Sequence, residues 1–302
     1  MRLIVAVLAS LVWLKGNLHT HTSMSDGDST PQEMAAWYRD HGYQFLVITD
    51  HDRLTNIAAP EGLVLVPGEE VTAKLPKKPL HVNAIGLTRV VEPQTGTTPV
   101  EVLQRNVDAV RAAGGIALVN HPNFGWAFGA KELLQLRGVT LLEIASGHPY
   151  VNAQGPPTVE SMWDELLTAG HRVWGVAVDD SHHLKRPWDT DVALPGKAWV
   201  VVRAQQADGK SILGALERGE FYASTGVELE DFGPASVKVK EKNLAHYRIQ
   251  FIGAKGRVLQ ETLGTSASYK VRGGEGYVRA KVIDSNGRCA WTQPVFIAKN
   301  ER

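Results

Sequence analysis

Cysteine is almost absent: Cys289 stands alone in 302 residues. No internal disulfide can form, and zinc sites built from paired cysteines are excluded. Any bound metal must therefore be held by nitrogen and oxygen. Nor is there an excess of charge of either sign, since 32 Lys and Arg balance 32 Asp and Glu. A neutral chain has no overall field with which to gather nucleic acid or an anionic membrane surface. No apolar run is long enough to span a membrane as a helix. The longest, Leu3 to Leu14 behind Arg2, fits a short export signal running into a buried first strand, which would place the protein in the periplasm or outside the cell. Internal repeats, heptad seams and low-complexity stretches are also missing.

What is present is ordinary globular material, 43% hydrophobic and 21% charged. The length exceeds the usual single-domain size, so one large domain and a small one are expected. Up to about residue 225, buried-strand runs alternate with capped helices. Thr30-Pro31-Gln32-Glu33 reads as an N-cap, a proline at the first helical position and a capping-box Glu, with Met34, Trp37 and Tyr38 as the apolar face and Gly42 as the stop. Strand Phe45 to Thr49 follows. The device recurs at Thr98-Pro99-Val100-Glu101, with strand Ile116 to Val119 behind it, and a third helix, Thr158 to Ala169, precedes strand Val173 to Val178. Such alternation predicts a parallel sheet or an α/β barrel.

From about Glu228 the pattern changes to short period-2 runs, among them Val237 to Lys240, Arg248 to Phe251 and Tyr277 to Val282. Asp284-Ser285-Asn286-Gly287 reads as a hairpin turn leading into Trp291 to Ile297. The expected organisation is a segment 1–14 (export signal and start of the first strand), an α/β barrel over 15–226 and a small sandwich-like all-β domain over 227–302.

The residues with chemistry share one placement. His19 and His21 follow the first strand, Asp50-His51 follows Phe45 to Thr49, and Glu70 follows Leu63 to Val66. His121 follows Ile116 to Asn120, and Asp180-Ser181-His182 follows Val173 to Val178. In an α/β barrel the C-terminal strand ends converge on one face, where active sites are built. Imidazoles mixed with carboxylates suit zinc, manganese or iron, and a set of this size is too large for one tetrahedral ion. Two or three ions is the natural count, and a close pair can hold a bridging hydroxide for displacement at phosphorus or carbon.

These segments resemble the PHP family, named for polymerase and histidinol phosphatase. His19-Thr20-His21-Thr22-Ser23-Met24-Ser25-Asp26-Gly27 is similar to its opening motif and Ile48-Thr49-Asp50-His51-Asp52 to its second. Gly68-Glu69-Glu70-Val71-Thr72 resembles its bridging-carboxylate segment, and Asp180-Ser181-His182 its closing Asp-x-His. The resemblance implies a distorted (β/α)7 barrel with up to three divalent ions. It assigns His19, His21, Glu70 and Asp180 to a first ion, Glu70, His81 and His121 to a second, and Asp26, His51 and His182 to a third. The Gly-x-Glu-x-Thr spacing selects Glu70 over Glu69 as the bridge. Within the family, Asn120-His121-Pro122, Asp179 to His183 and the β tail resemble the branch containing carbaryl hydrolases.

Other polar residues read less sharply. Asp50 is expected to orient a ligand imidazole. His183 and His148 are candidates to give a proton to a leaving group, and Lys185 and Arg186 to receive a phosphate, against plain loop roles for His148, Lys185 and Arg186 and a supporting place beside a ligand for His183. Phe124 and Trp126 suggest an aromatic wall, with core packing as the alternative. His41 and His171 sit where helices end and suit structural roles there. The reading that follows is a metal-dependent phosphoesterase acting on a small phosphorylated molecule. Hydrolysis of a carbamate, ester or amide on the same metals is the first rival. A metal-holding, non-catalytic binding module is the second, and a proofreading nuclease fits least, because no basic stripe appears.

Overall fold

The computed structural model describes residues 11–152, 157–242 and 244–298. Most of the leading apolar run, and with it the export-signal expectation, lies outside the described residues. Its end is strand β1 (Val12–Asn17). Then follow α1 (Pro31–Asp40), β2 (Phe45–Ile48), β3 (Val64–Leu75), β4 (Lys78–Ile85), α2 (Pro99–Ala112) and β5 (Ile116–Val119). After a short α3 (Ala130–Leu133) come β6 (Leu141–Ser146), a one-turn α4 (Pro149–Asn152), α5 (Val159–Thr168) and β7 (Trp174–Val178). β8 (Trp199–Ala204), α6 (Gly209–Arg218) and β9 (Phe221–Ser224) complete the α/β part.

The helix starts form as their caps dictate. Thr30 accepts from the Glu33 amide and Glu33 reaches back to the Thr30 amide, closing the capping box around Pro31. At α2 the Thr98 hydroxyl caps the Glu101 amide, but the Glu101 carboxylate reaches one residue further, to the amide and hydroxyl of Thr97. Each helix buries one apolar face. Val102, Leu103, Val107 and Val110 of α2 pack with Val71, Val82 and Val119 of the sheet in the largest core cluster.

The sheet departs from the all-parallel expectation. β1, β2 and β3 are parallel neighbours, and so are β5, β6 and β7. Between these triplets β4 runs antiparallel to both β3 and β5. The physical reason is the tight turn after Leu75, which returns the chain beside itself as a hairpin and leaves no room for a crossover helix. The order β1 to β7 is a continuous strip, and its two ends meet at one parallel bridge, Thr20 with Ser181, where the His21 amide donates to the Ser181 carbonyl at 2.8 Å. Among the described residues that bridge is the pairing that joins the two ends of the strip, with no named strand closing it.

The C-terminal residues are all β, as their alternation predicts: β10 (Leu229–Gly233), β11 (Ser236–Val239), β12 (Tyr247–Gly253), β13 (Arg257–Leu263), β14 (Ser266–Ser268), β15 (Tyr277–Asp284), β16 (Cys289–Thr292) and β17 (Val295–Phe296). The Asp284 carboxylate accepts from the amides of Asn286 and Arg288, and Gly287 takes φ 80°, which makes the β15–β16 hairpin turn. The final run is split in two at Gln293-Pro294. β1 pairs with β8, β8 with β9, and β9 with β16, so the tail continues the same sheet.

A buried ion cluster fastens the tail to α5. Arg279 of β15 is fully buried and donates to both oxygens of Asp164, at 2.9 and 2.8 Å, and to Glu160 at 2.9 Å. The Tyr277 hydroxyl donates to Asp164 at 2.6 Å, and the Trp163 ring lies 4.8 Å from the guanidinium. Replacing Arg279 with Met would leave Asp164 buried without its counter-charge. The expected loss is about 3–5 kcal/mol of folding stability, read by urea denaturation; a change within the error of the extrapolation would count against this role.

Candidate metal centre

β1 ends at Asn17, the chain bends at Leu18, and Thr20 then bridges to Ser181 with His19 and His21 on either side of it in sequence. His19 and His21 are fully buried, with their Nε2 atoms 3.1 Å apart. Glu70 and His81 face them from the β3–β4 hairpin. Both lie inside strands, whereas sequence places Glu70 beyond a strand end. β3 runs on to Leu75 because pairing from Gly68–Ile85 to Leu75–Lys78 sustains it. His51 follows β2 and bridges to Glu70. His121 follows β5, and Asp180 and His182 follow β7. Asp180 takes φ 49°, a left-handed conformation uncommon for a side chain with a Cβ and one that clusters at functional sites.

Asp26 comes from the loop between β1 and α1. Asp50 holds that loop: it accepts from the amide and hydroxyl of Thr22, both at 2.7 Å, and from Ser25 Oγ at 2.8 Å. Its fourth donor is Thr55 Oγ1. No imidazole is among these partners, which corrects the expectation that Asp50 orients one. Thr72 has that task instead. Its hydroxyl donates to the Glu70 carbonyl at 2.9 Å and so accepts from His51 Nδ1 at 2.6 Å, leaving His51 Nε2 toward Asp26. In the same way the Asp180 carbonyl accepts from His182 Nδ1 at 2.9 Å, and His182 Nε2 faces Asp26 Oδ1 at 3.4 Å.

All nine residues selected from the sequence come together: His19, His21, Asp26, His51, Glu70, His81, His121, Asp180 and His182 fall into four overlapping groups of mutually close donor atoms. The closest contacts surround the His19 Nε2–His21 Nε2 pair, which Glu70 Oε2 joins in one group and Asp180 Oδ1 approaches separately. The distances are 3.1 Å (His19–His21), 3.4 Å (His19–Glu70), 3.2 Å (His19–Asp180), 3.3 Å (His21–Glu70) and 3.4 Å (His21–Asp180). Ligands placed tetrahedrally about 2.0–2.1 Å from one ion would be separated by roughly 3.3–3.4 Å, close to the sides of the His19–His21–Glu70 triangle. The other Glu70 oxygen lies 2.9 Å from His81 Nδ1 and 3.4 Å from His121 Nε2. Asp26 lies 3.4 Å from both His51 and His182 and 3.5 Å from His21. The donor set fits divalent cations.

Charge is concentrated to match. Glu70 is buried; burial alone would raise its carboxyl, but His81, His19 and His121 hold it well below the usual carboxylate range. Asp180 is lowered in the same way by His19, His21 and His182 against its own burial. The carboxylates in turn raise the imidazoles. Burial disfavours the His51 cation, yet Asp26 and Glu70 lift its pKa to about 10; His19, His121 and His182 also rise. Glu69, next in sequence, points to the opposite side of β3. Its Oε1 accepts from the Val91 amide at 2.6 Å, and burial pushes its carboxyl up to about 7.

The centre opens into a cavity of about 410 Å³, whose other lining residues include Phe124, His148, Tyr150, His183 and Asp191. His148 accepts from the Tyr150 amide at Nδ1, and burial lowers its pKa. His183 Nδ1 lies 3.3 Å from Asp28, and the half-exposed Arg186 guanidinium sits 3.4 Å from His183 Nε2. Arg186 and Lys185 are outside the cavity lining; Arg186 reaches it only beside His183. Phe124 contacts His121 and His148 and forms the aromatic wall, whereas Trp126 is not part of it. His41 ends α1, stacked on Trp37.

Sequence reasoning missed the supports. Asn120 donates to Glu70 at 2.7 Å and to Asn83 at 2.9 Å, and Asn83 donates to the Leu18 carbonyl at 3.1 Å. Glu143 of β6, buried against His19, was also unmarked. A lone carboxylate or amide inside an apolar strand is the signal that could have found them.

No protein-family model matches the chain, and no curated protein matches it. Among solved structures, a two-domain protein from Bacteroides vulgatus, described as containing a predicted PHP-like metal-dependent phosphoesterase, superposes with a TM-score of 0.54 at 16% identity over 90% of each chain. An amidohydrolase from Chromobacterium violaceum, with bound sulfate and no metal, reaches a TM-score of 0.40 at 17% identity, covering 60% of this chain and 92% of its own. At these identities the first match shows a shared fold; the second bears no weight.

Two expected outcomes follow from the geometry. Glu70→Gln removes one negative charge from the middle of the donor set and loses bound metal, while Glu69→Gln keeps wild-type metal content, measured on both variants under identical metal supply. The reverse pattern would mean that the wrong carboxylate has been assigned to the centre. Secondly, imidazoles with raised pKa values carry protons at neutral pH, and a cation must displace them. Zinc binding at pH 7 should therefore release protons and weaken as pH falls, seen as a binding enthalpy that changes with the ionisation enthalpy of the buffer. Identical heats in two such buffers would refute it.

Proposed function

We propose that this chain is a PHP-type metal-dependent hydrolase, most consistent with a phosphoesterase acting on a small phosphorylated molecule. The observation that carries the proposal is the group of His19, His21 and Glu70, whose edges suit one small divalent ion, with Asp180 within 3.4 Å of both imidazoles. Glu70 bridges this group to His81 and His121, and Asp26, His51 and His182 form a third, so two or three zinc, manganese or iron ions are the expected complement. The shared fold with a protein described as PHP-like agrees with this reading.

When bound, such ions supply Lewis acidity and activation of a nucleophile at neutral pH. The chain's own residues do the rest. His183, held at Nδ1 by Asp28, presents its ring to the cavity and gives the departing group a proton. Arg186 beside it offers a planar cation to a phosphoryl oxygen. Burial favours the neutral His148 ring, which suits it to hydrogen-bond the substrate and leaves proton donation to His183. Phe124 gives the leaving group an apolar wall.

The deciding experiment is metal analysis followed by hydrolysis assays on phosphomonoesters, phosphodiesters, carbamates and aryl esters. Carbamates belong in the set because of the resemblance to carbaryl hydrolases, a narrower placement that the solved structures do not support. Wild type should carry at least about one equivalent of metal and turn over phosphoesters fastest. The His19→Ala, His21→Ala double variant should lose metal and turnover together. Full metal content with no hydrolysis of any class would favour a binding module, and full turnover in the double variant would sink the centre.

A further inference from the structure

β6 reads Leu141-Leu142-Glu143-Ile144-Ala145-Ser146, an apolar strand with one charge in its middle. Leu142 and Ile144 join the largest core cluster, so Glu143 points to the opposite face, inside the strip of strands. There it is 1% exposed. A buried carboxylate is costly unless it is paired. Glu143 Oε2 has one partner, His19 Nδ1 at 3.2 Å, and Oε1 has none among the described residues.

The strand is distorted at this point. Glu143 pairs with Val176, but Ala145 pairs with Ala177, so Ile144 is an extra residue in the ladder. Bulges of this kind bend a strand and re-aim a side chain. Glu143 is also absent from every group of mutually close donor atoms. It reaches the centre only through the far nitrogen of His19, whose near nitrogen lies 3.1 Å from His21 Nε2 and 3.4 Å from Glu70. Its charge is felt beyond His19, since it also favours the protonated forms of His121 and His148.

We infer that Glu143 is a positioning residue: by accepting the His19 Nδ1 proton it fixes the tautomer and ring orientation that aim Nε2 at His21, Glu70 and Asp180. The inference rests on the metal-centre reading above. Its chemistry is general: a carboxylate on the outer nitrogen of a ligating imidazole sets the lone pair's direction and raises its basicity. It also accounts for the burial. In the loaded centre the negative charge of Glu143 faces a divalent cation across one imidazole ring, which offsets its removal from water. Without Glu143, no other described residue takes the Nδ1 proton, and the ring can rotate or shift its proton to Nε2, which then cannot ligate.

The test uses the full chain and the variants Glu143→Gln and Glu143→Ala, with zinc affinity from chelator competition and the visible absorption of the cobalt-substituted protein. The amide of Gln can still accept from Nδ1 but carries no charge. Glu143→Ala should weaken zinc binding by about 10–100-fold and alter the cobalt spectrum, with Glu143→Gln in between. A residue that serves only the fold would lower the melting temperature and leave both readouts at wild-type values. That result overturns the inference, as does zinc affinity in Glu143→Gln within about twofold of wild type, which decides the matter should Glu143→Ala fail to fold. Wild type that takes up neither zinc nor cobalt would overturn the metal-centre reading itself, and it shows before any variant is made.

Discussion

The molecule is organised around a negative charge that cannot reach water. Glu70 sits in the middle of a strand, buried, with imidazoles on both of its oxygens. Removing a carboxylate from water costs on the order of several kcal/mol, so its surroundings must compensate it wherever the chain goes. The rings of His19, His21, His51, His81 and His121 approach it from four separate strands or strand ends, and Asn120 adds a hydrogen bond from its amide. The same demand reaches outward. Asn83 ties Asn120 to the backbone just before His19, so the position of β1 is tied to the centre.

The loops obey the same logic at their own scale. Asp50 gathers Thr22, Ser25 and Thr55, and through them the segment that carries Asp26. Asp179 is buried and accepts from the amides of Gly196, Lys197 and Ala198 and from the Tyr38 hydroxyl. It thereby anchors the stretch before β8 beside Asp180, its neighbour in the chain. Buried carboxylates are satisfied in three ways here: by the Arg279 guanidinium at Asp164, by backbone and hydroxyl donors around the centre, and by imidazoles inside it. Glu143 stands out because an imidazole meets one of its oxygens and no described residue meets the other.

His19, His21, His51, Glu70, His121, Asp180 and His182 were legible because each follows an apolar run, and polar residues at such places need a reason; Asp26 and His81 were legible only through the family resemblance. The capping box at Thr30 and the turn at Asp284 were legible because their chemistry is local. Other features escaped for physical reasons. The β3–β4 hairpin was not foreseen because its Leu75-Pro76-Lys77-Lys78 turn lacks the Asn-Gly or Asp-Gly signal, and Lys77 takes φ 62° without it. That single turn reverses β4 and moves Glu70 and His81 into strand interiors. Asp50 was given the wrong partner because which side of a loop a carboxylate serves depends on tertiary contacts. Glu143, Asn83 and Asn120 lie within or at the end of apolar strands, where one sequence cannot tell a purposeful polar residue from a tolerated one.

β9 is four residues long and buried throughout, with β8 on one side and β16 on the other. The α/β part therefore does not possess a finished border of its own. Its outermost ladder of amides and carbonyls is covered by a strand that the ribosome makes some 65 residues later, and until then that rim is a bare template for pairing with another chain. The last strands act as the hem of the sheet as well as its extension. During synthesis the molecule is thus most exposed to mispairing after its nine clustered donor residues have all been made and before its final hairpin has arrived.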